Sequence, residues 1–305
     1  MKRRASITVL TGVTAAVFFA AGLLLSGCTK SLEDAFNTSK VEFVVRKVLD
    51  SGVPDNLNSY KSDFSTGIFV HEAGYMPVNG NWGVPVVQNM LFRNSGGILD
   101  GEKLYLDKQK EYNIYSYAPY KGDNTINGES ITFNHDTDVI RATAKYSSST
   151  QNNVINKIQL DYEHITSKVK FLFEDNRDPS QKELHDFSRM NFRIGGFCKK
   201  FYLNIYTGQI TRGPVDPSVI ISKENYPVCF APGTGNEEYN LEIDIPATFP
   251  LNLLPVQISE KFNYNFRPGH SYVITINVMT AQMSVKSHII SWEYKVVEEL
   301  EIEIN

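Results

Sequence analysis

Cys28 is the residue whose chemistry its neighbours specify most sharply: it follows Leu25-Ser26-Gly27, and upstream lie Lys2-Arg3-Arg4 and an apolar run from Ile7 to Leu25. A basic start, an apolar stretch and small residues before the cut make a secretory signal that the mature chain loses. With Cys at the cut, the chemistry is acylation. The thiol and the new amino group take acyl chains, each buried methylene adding about 0.8 kcal/mol, and two or more chains anchor stably where one does not. The alternative is a membrane helix that ends in Cys; no other run reaches the ~20 apolar residues a span requires.

The remaining reactive side chains do not assemble into a catalytic pattern. Cys198 and Cys229 are left once Cys28 is acylated. They form either a bridge worth roughly 3–4 kcal/mol by loop-closure entropy or two buried thiols. His71-Glu72 lacks the second His of a zinc-protease helix, and the six His are scattered with no metal-site spacing. Asp136-Thr137-Asp138 has two acids of a calcium loop without its Gly and distal Glu. Gly233-Thr234-Gly235 after Pro232 reads as a hairpin turn rather than a phosphate loop, and no Gly-x-Ser-x-Gly elbow occurs. These readings predict a non-enzyme with no metal and no cofactor. Trp82, near Tyr75 and Asn79-Gly80-Asn81, is either a sugar-stacking platform or the anchor of a surface loop.

Residues 1–27 carry three of the 30 Lys+Arg and no acid, so the mature chain has 27 bases against 34 acids, a net of −7. No basic cluster remains to suit a phosphate backbone, which excludes nucleic acid as a partner. The 278 residues that follow the signal suggest two domains. With 16 Tyr and 18 Phe, many in alternating runs, the chain favours strands.

The elements follow from that alternation. Val41, Phe43 and Val45 alternate with Glu42 and Val44 up to Arg46-Lys47. Strands are predicted at 67–70, 89–92, 104–106, 112–117, 157–162, 167–174, 201–206, 238–245 and 271–279. Residues 124–130 read as loop, and 178–187 could hold a helical turn. Turns sit at Asn94-Ser95-Gly96-Gly97, Gly195-Gly196, Gly213-Pro214 and Pro268-Gly269. Short strands and turns at this spacing predict β-sandwiches, divided as a tether over 28–40 and domains over 41–155 and 156–305, joined near Gln151-Asn152-Asn153.

The carboxyl-terminal segment 292–304 stands out. Even positions read Trp292, Tyr294, Val296, Glu298, Leu300, Ile302 and Ile304, while odd positions are charged except for Val297. This is a strand with one apolar face, spanning roughly 40 Å at ~3.3 Å per residue. It either fills a groove elsewhere or completes its own domain.

Several segments, taken in order, resemble the fimbrillin family of Bacteroidia, the lipoprotein subunits of surface fimbriae. Asp63-Phe64-Ser65-Thr66-Gly67-Ile68-Phe69-Val70 is similar to that family's first-domain strand, and Glu111-Tyr112-Asn113-Ile114-Tyr115-Ser116-Tyr117-Ala118-Pro119-Tyr120 to a later one. Leu160 to Phe171 resembles the opening of its second domain, and Phe266-Arg267-Pro268-Gly269-His270-Ser271-Tyr272 its closing hairpin with a terminal Trp. Lys30 with Glu33-Asp34 resembles the charged signals that send lipoproteins to the cell surface, or is an ordinary linker.

The resemblance implies two tandem β-sandwich domains of transthyretin-like topology. It implies an outer-membrane, cell-surface location through lipid on Cys28, with other fimbrial subunits and a host or bacterial surface ligand as partners. It also implies cleavage after an Arg and replacement of the first strand by a neighbour's terminal strand. Arg46 is the only Arg between Cys28 and Arg93, so the cut would fall at Arg46-Lys47 unless Arg46 is an ordinary solvent-facing strand residue. The donor face would be Trp292, Tyr294, Val296, Leu300, Ile302 and Ile304. The competing expectation is a surface glycan-binding lipoprotein built of β-sandwich domains.

Overall fold

Alternating apolar and polar side chains carry this chain into strands that pair far along the sequence. The computed structural model describes residues 38–49, 64–74, 85–122, 125–126, 129–147, 155–179, 189, 191–216, 219–221, 228–233, 235, 237–245, 256–278, 283–290 and 296–302. In the first half the strands are β1 (Thr38–Leu49), β2 (Ser65–Glu72), β3 (Val87–Ser95), β4 (Ile98–Asp107), β5 (Glu111–Ala118), β6 (Thr125–Ile126), β7 (Ser130–Asn134), β8 (Ile140–Ser147) and β9 (Ile155–His164). Then follow β10 (Ser167–Asp175), β11 (Asn191–Gly195), β12 (Phe197–Cys198), β13 (Lys200–Asn204), β14 (Ile210–Arg212), β15 (Val215–Asp216) and β16 (Val219–Ile221). The last are β17 (Val228–Phe230), β18 (Glu237–Ile245), β19 (Val256–Tyr264), β20 (Ser271–Val278), β21 (Met283–Ile290) and β22 (Val296–Ile302).

The first sheet is a closed barrel in the order β1-β4-β3-β2-β5-β8-β9, its closure made by parallel pairing of β1 with β9. Where a sandwich was expected for the first half, the described strands form one sheet that closes on itself. Ile158, Leu160 and Tyr162 of β9 are buried in the barrel core with Val41, Phe43 and Val45 of β1. Burying these two alternating faces together removes the free edges that a sandwich retains. The same pairing runs to Leu49 opposite Glu163. Inside the barrel, Tyr162 Oη meets Ser116 Oγ at 2.6 Å and Thr66 Oγ1 at 3.1 Å. A buried hydroxyl thereby keeps partners it would otherwise lose with water. The β3–β4 turn is built as its residues require. Gly96 and Gly97 take φ of 59° and 91°, and the Gly97 N–H donates to Asn94 Oδ1 at 3.0 Å.

The second half holds two sheets, β17-β10-β20-β21-β22 and β16-β11-β18-β19. One core joins them, with Val169, Phe171, Tyr272 and Ile274 from the first and Phe192, Ile194, Tyr239 and Leu241 from the second. This is sandwich packing.

A further sheet, β14-β13-β7-β6, crosses between the halves. Phe201 of β13 lies opposite Phe133 of β7, their rings stacked at 5.5 Å. A third core gathers Phe69, Tyr117, Ile131 and Phe133 with Phe201, Leu203 and Ile205. Residues 125–126, read as loop from sequence, are β6 of this sheet. At the junction, the Ile165 N–H donates to Val139 O at 2.9 Å and the Gly269 N–H to Thr166 O at 2.9 Å, pinning one short segment to both units.

Two outcomes are expected. Truncating Phe133, fully buried in the shared core, to Ala costs about 3–5 kcal/mol in urea unfolding, and the wild type melts in one calorimetric transition; two separate transitions would show that the units unfold independently. Stability also falls at alkaline pH. Burial pushes the Tyr162 hydroxyl up to about 12, whereas an unfolded Tyr ionises near ~10. Between those values the folded state holds more protons, so stability drops as pH rises, by up to ~1.4 kcal/mol per pH unit for this group. Tyr162→Phe flattens that dependence in pH-stepped urea melts.

Candidate strand-exchange site

The strand that closes the barrel is also the first one in the described chain. Ser39, Val41, Phe43 and Val45 of β1 face inward and are buried, while Arg46 is exposed. On one side β1 runs antiparallel to β4, from Thr38 opposite Asp107 to Val44 opposite Ile98. On the other it runs parallel to β9, from Lys40 opposite Ile155 to Leu49 opposite Glu163. Phe43 meets Phe92 edge-on at 5.3 Å. Ser39 Oγ lies 2.7 Å from Tyr146 Oη and accepts from Asn156 Nδ2 at 2.9 Å. Burying Val41, Phe43, Val45 and Val48 contributes roughly 1.5–3 kcal/mol each before ordering costs.

Arg46 sits at a break in this pairing. The β1–β9 register passes from Val45 opposite Leu160 to Lys47 opposite Asp161, leaving Arg46 as the extra residue of a bulge. The bulge shifts the alternation by one, which is why Val48, an even position, is buried at 2% exposure and the strand continues past the predicted stop at Arg46-Lys47. The Arg46 side chain is 54% exposed and pairs with Asp161, its Nε donating to Oδ1 at 2.7 Å and its Nη2 to Oδ2. An exposed pair of this kind contributes only ~0–1 kcal/mol, but it occupies the guanidinium a protease would have to take.

At the other end, β22 is the outer strand of the five-stranded sheet and pairs antiparallel with β21, Leu300 opposite Ser287 and Ile302 opposite Val285. Val296, Leu300 and Ile302 of the predicted donor face lie in β22. Trp292, Tyr294 and Ile304 lie outside the described residues, as do Cys28, Trp82, Tyr75 and Asn79-Gly80-Asn81. Among the described residues, β22 pairs with one strand, β21.

The other sequence candidates have structural partners. Cys198 and Cys229 are both buried thiols, not bridged to each other. His71 is buried on β2 with Nε2 at 2.9 Å from Tyr206 Oη, and burial draws its pKa below the ordinary value. Asp138 pairs with His164 Nδ1 at 2.8 Å, and Asp136 Oδ1 accepts from the Cys229 N–H at 3.3 Å. Among the described residues no three metal-ligating side chains cluster. Gly233 and Gly235 lie between β17 and β18, which belong to different sheets, so the turn crosses the sandwich instead of closing a hairpin. Sequence reasoning missed Asp161 and the bulge, because neither leaves a local pattern. It also missed β8, whose inward residues Ala142 and Ala144 are too small to give a clear apolar alternation.

The family described as fimbrillin-like matches residues 62–292. Among solved structures, a candidate cell adhesion protein from Bacteroides ovatus superposes with a TM-score of 0.56 at 15% identity, covering 88% of this chain and 99% of its own. Another from Bacteroides uniformis gives a TM-score of 0.55 at 14% identity over 84% and 99%. At such identity the likeness is one of fold. No curated protein matches the chain.

Releasing Arg46 from its partner should expose the bulge. Asp161→Asn is expected to leave thermal stability nearly unchanged and to speed limited trypsin cleavage after Arg46 several-fold. Amino-terminal sequencing of the product should begin at Lys47; an unchanged cleavage rate would show that the ion pair does not guard the site.

Proposed function

The chain belongs to the fimbrillin-like family, and from that premise we propose that it is a structural and adhesive subunit of a cell-surface fimbria, assembled by strand exchange. In this reading the chain is exported as a lipoprotein acylated on Cys28, reaches the outer membrane, and is cut after Arg46. Both units are variants of the family's transthyretin-like topology, the first closed into a barrel by its own first strand.

One observation carries the reading. The strand upstream of the candidate cut supplies the closing face of the barrel, with Val41, Phe43 and Val45 buried and Arg46 bulged to the surface. Cutting at Arg46-Lys47 would release those three side chains together with the lipid and leave open edges on β4 and β9. An apolar trough between two unpaired edges accepts an extended strand, because ladder hydrogen bonds supply direction and the buried side chains supply affinity. The carboxyl-terminal segment suits that role, since its sequence carries an apolar face and β22 pairs with one strand among the described residues. Five or six such side chains give roughly 10 kcal/mol before ordering costs. The contact is head-to-tail and does not close on itself, so repetition makes a fibre.

The test is an immunoblot of the cell-surface fraction with and without boiling in SDS, on wild type, Arg46→Ala and a chain lacking 293–305. Strand-exchanged polymers resist detergent because releasing the strand has a high barrier. A wild-type ladder that collapses on boiling, with folded monomer only from both variants, is expected. A single monomer band from wild type in both lanes would overturn polymerisation. Unfolding of the truncated monomer would assign the terminal strand to its own domain.

A further inference from the structure

The outer face of the barrel carries a second feature that strand exchange does not use. Along β5 and β8 the inward residues Ile114 and Ala142 are buried in the barrel core. The alternate residues Asn113, Tyr115, Arg141, Thr143 and Lys145 line a cleft of about 440 Å³ together with Tyr206 of the second unit. Asn113 lies opposite Lys145, and Tyr115 opposite Thr143. Tyr206 forms the wall: its ring meets Tyr115 edge-on at 5.1 Å and His71 at 4.8 Å, and its hydroxyl is held by His71.

Arg141 is the anomaly. It is 9% exposed, and its Nε and Nη2 donate to the carbonyls of Ile205 and Tyr206 at 3.0 and 2.9 Å. Among the described residues no carboxylate lies within ion-pair distance of it. Glu163, its neighbour across the β8–β9 ladder, supports its charge only at longer range, against a burial that disfavours it. Gly208 fits closely over the guanidinium, where a Cβ would come within 2.9 Å of Nη1. Lys145, exposed at the rim, makes no ion pair among the described residues.

We propose that this cleft binds a saccharide bearing a carboxylate. A nearly buried cation held by two neutral carbonyls favours an anionic partner. Tyr115, half-buried beside the buried Tyr206, offers ring surface to the apolar face of a sugar, while Asn113, Thr143 and Lys145 offer the hydrogen bonds its hydroxyls need. The volume is that of a small-molecule site, and it lies where such sites concentrate, between two packed units. A peptide is a poorer occupant. β5 is already paired with β2 and β8, and β8 with β5 and β9, so neither offers a backbone edge for strand addition. The inference stands apart from strand exchange, since none of its residues lies on β1 or β22.

The test is calorimetric titration of the purified protein with trigalacturonate, neutral galactotriose and polyglutamate. Trigalacturonate should saturate below about 1 mM, with the neutral sugar at least about tenfold weaker. Thr143→Trp, which fills the cleft from an exposed position, should abolish binding. Lys145→Glu, exposed and expected to fold normally, should weaken it roughly five- to tenfold. Absence of saturation by trigalacturonate would overturn the proposal. So would binding that both folded variants leave unchanged, or polyglutamate binding of equal strength.

Discussion

Closure of the first sheet by β1 is the constraint on which the rest of the molecule depends. β9 needs a partner on its outer edge and β4 needs one on its own, and a single strand satisfies both, antiparallel to β4 and parallel to β9. Without it the barrel core would open along a line of buried residues that includes Phe92, Leu99, Leu104, Ile158 and Leu160. Two unpaired edges flanking an apolar trough make an aggregation-prone surface in any sheet. A chain that carries its own closing strand avoids that hazard.

The polar groups around β1 make the closure selective. Ser39 sits among Tyr146 and Asn156, so the trough is not uniformly apolar. A strand replacing β1 would leave the Asn156 amide and the Tyr146 hydroxyl short of a partner unless it brought a hydroxyl or amide to that position, and a buried donor left unmade costs ~1–3 kcal/mol. The second unit matters here because it braces the barrel from outside. Phe69 and Tyr117 turn outward from β2 and β5 into the core shared with Phe133 and Phe201. Those strands are thus buried on both faces, and opening at β1 need not propagate to them.

Much of this was legible from alternation alone. β1, β9, β10 and β18 show period-two patterns, and the β3–β4 turn is written in Asn94-Ser95-Gly96-Gly97. What was not legible is long-range. No local signal says that β1 pairs with β9 across more than a hundred residues of chain, so a sandwich was the natural expectation where a barrel formed. The bulge at Arg46 hid the end of β1 because it inverts the alternation, making Val48 look out of phase. The cleft residues were missed for a related reason: Arg141-Ala142-Thr143-Ala144-Lys145 alternates, but Ala buries too little area to announce a strand face. The inter-unit sheet escaped because β7 runs for only five residues and its pairing with β13, itself a predicted strand, is long-range.

β1 and β22 differ in how many described strands they pair with, and in the proposed exchange this sets the direction in which it could run. β1 is fixed by two ladders and four buried apolar side chains, and it closes a barrel. β22 is fixed by one ladder at the rim of a five-stranded sheet. Local opening of sheets begins where backbone partners are fewest, and among the described residues β22 has one ladder to break where β1 has two. In the proposed exchange, a subunit with β1 intact has a strand to offer and no vacancy to fill. In that proposed exchange a covalent cut creates the vacancy, since release of an intact β1 must break two ladders at once while exposing the core. The bulge places the backbone of Arg46 outside the β1–β9 ladder, at the point of β1 where a cut would remove Val41, Phe43 and Val45 yet leave Val48 seated against the core.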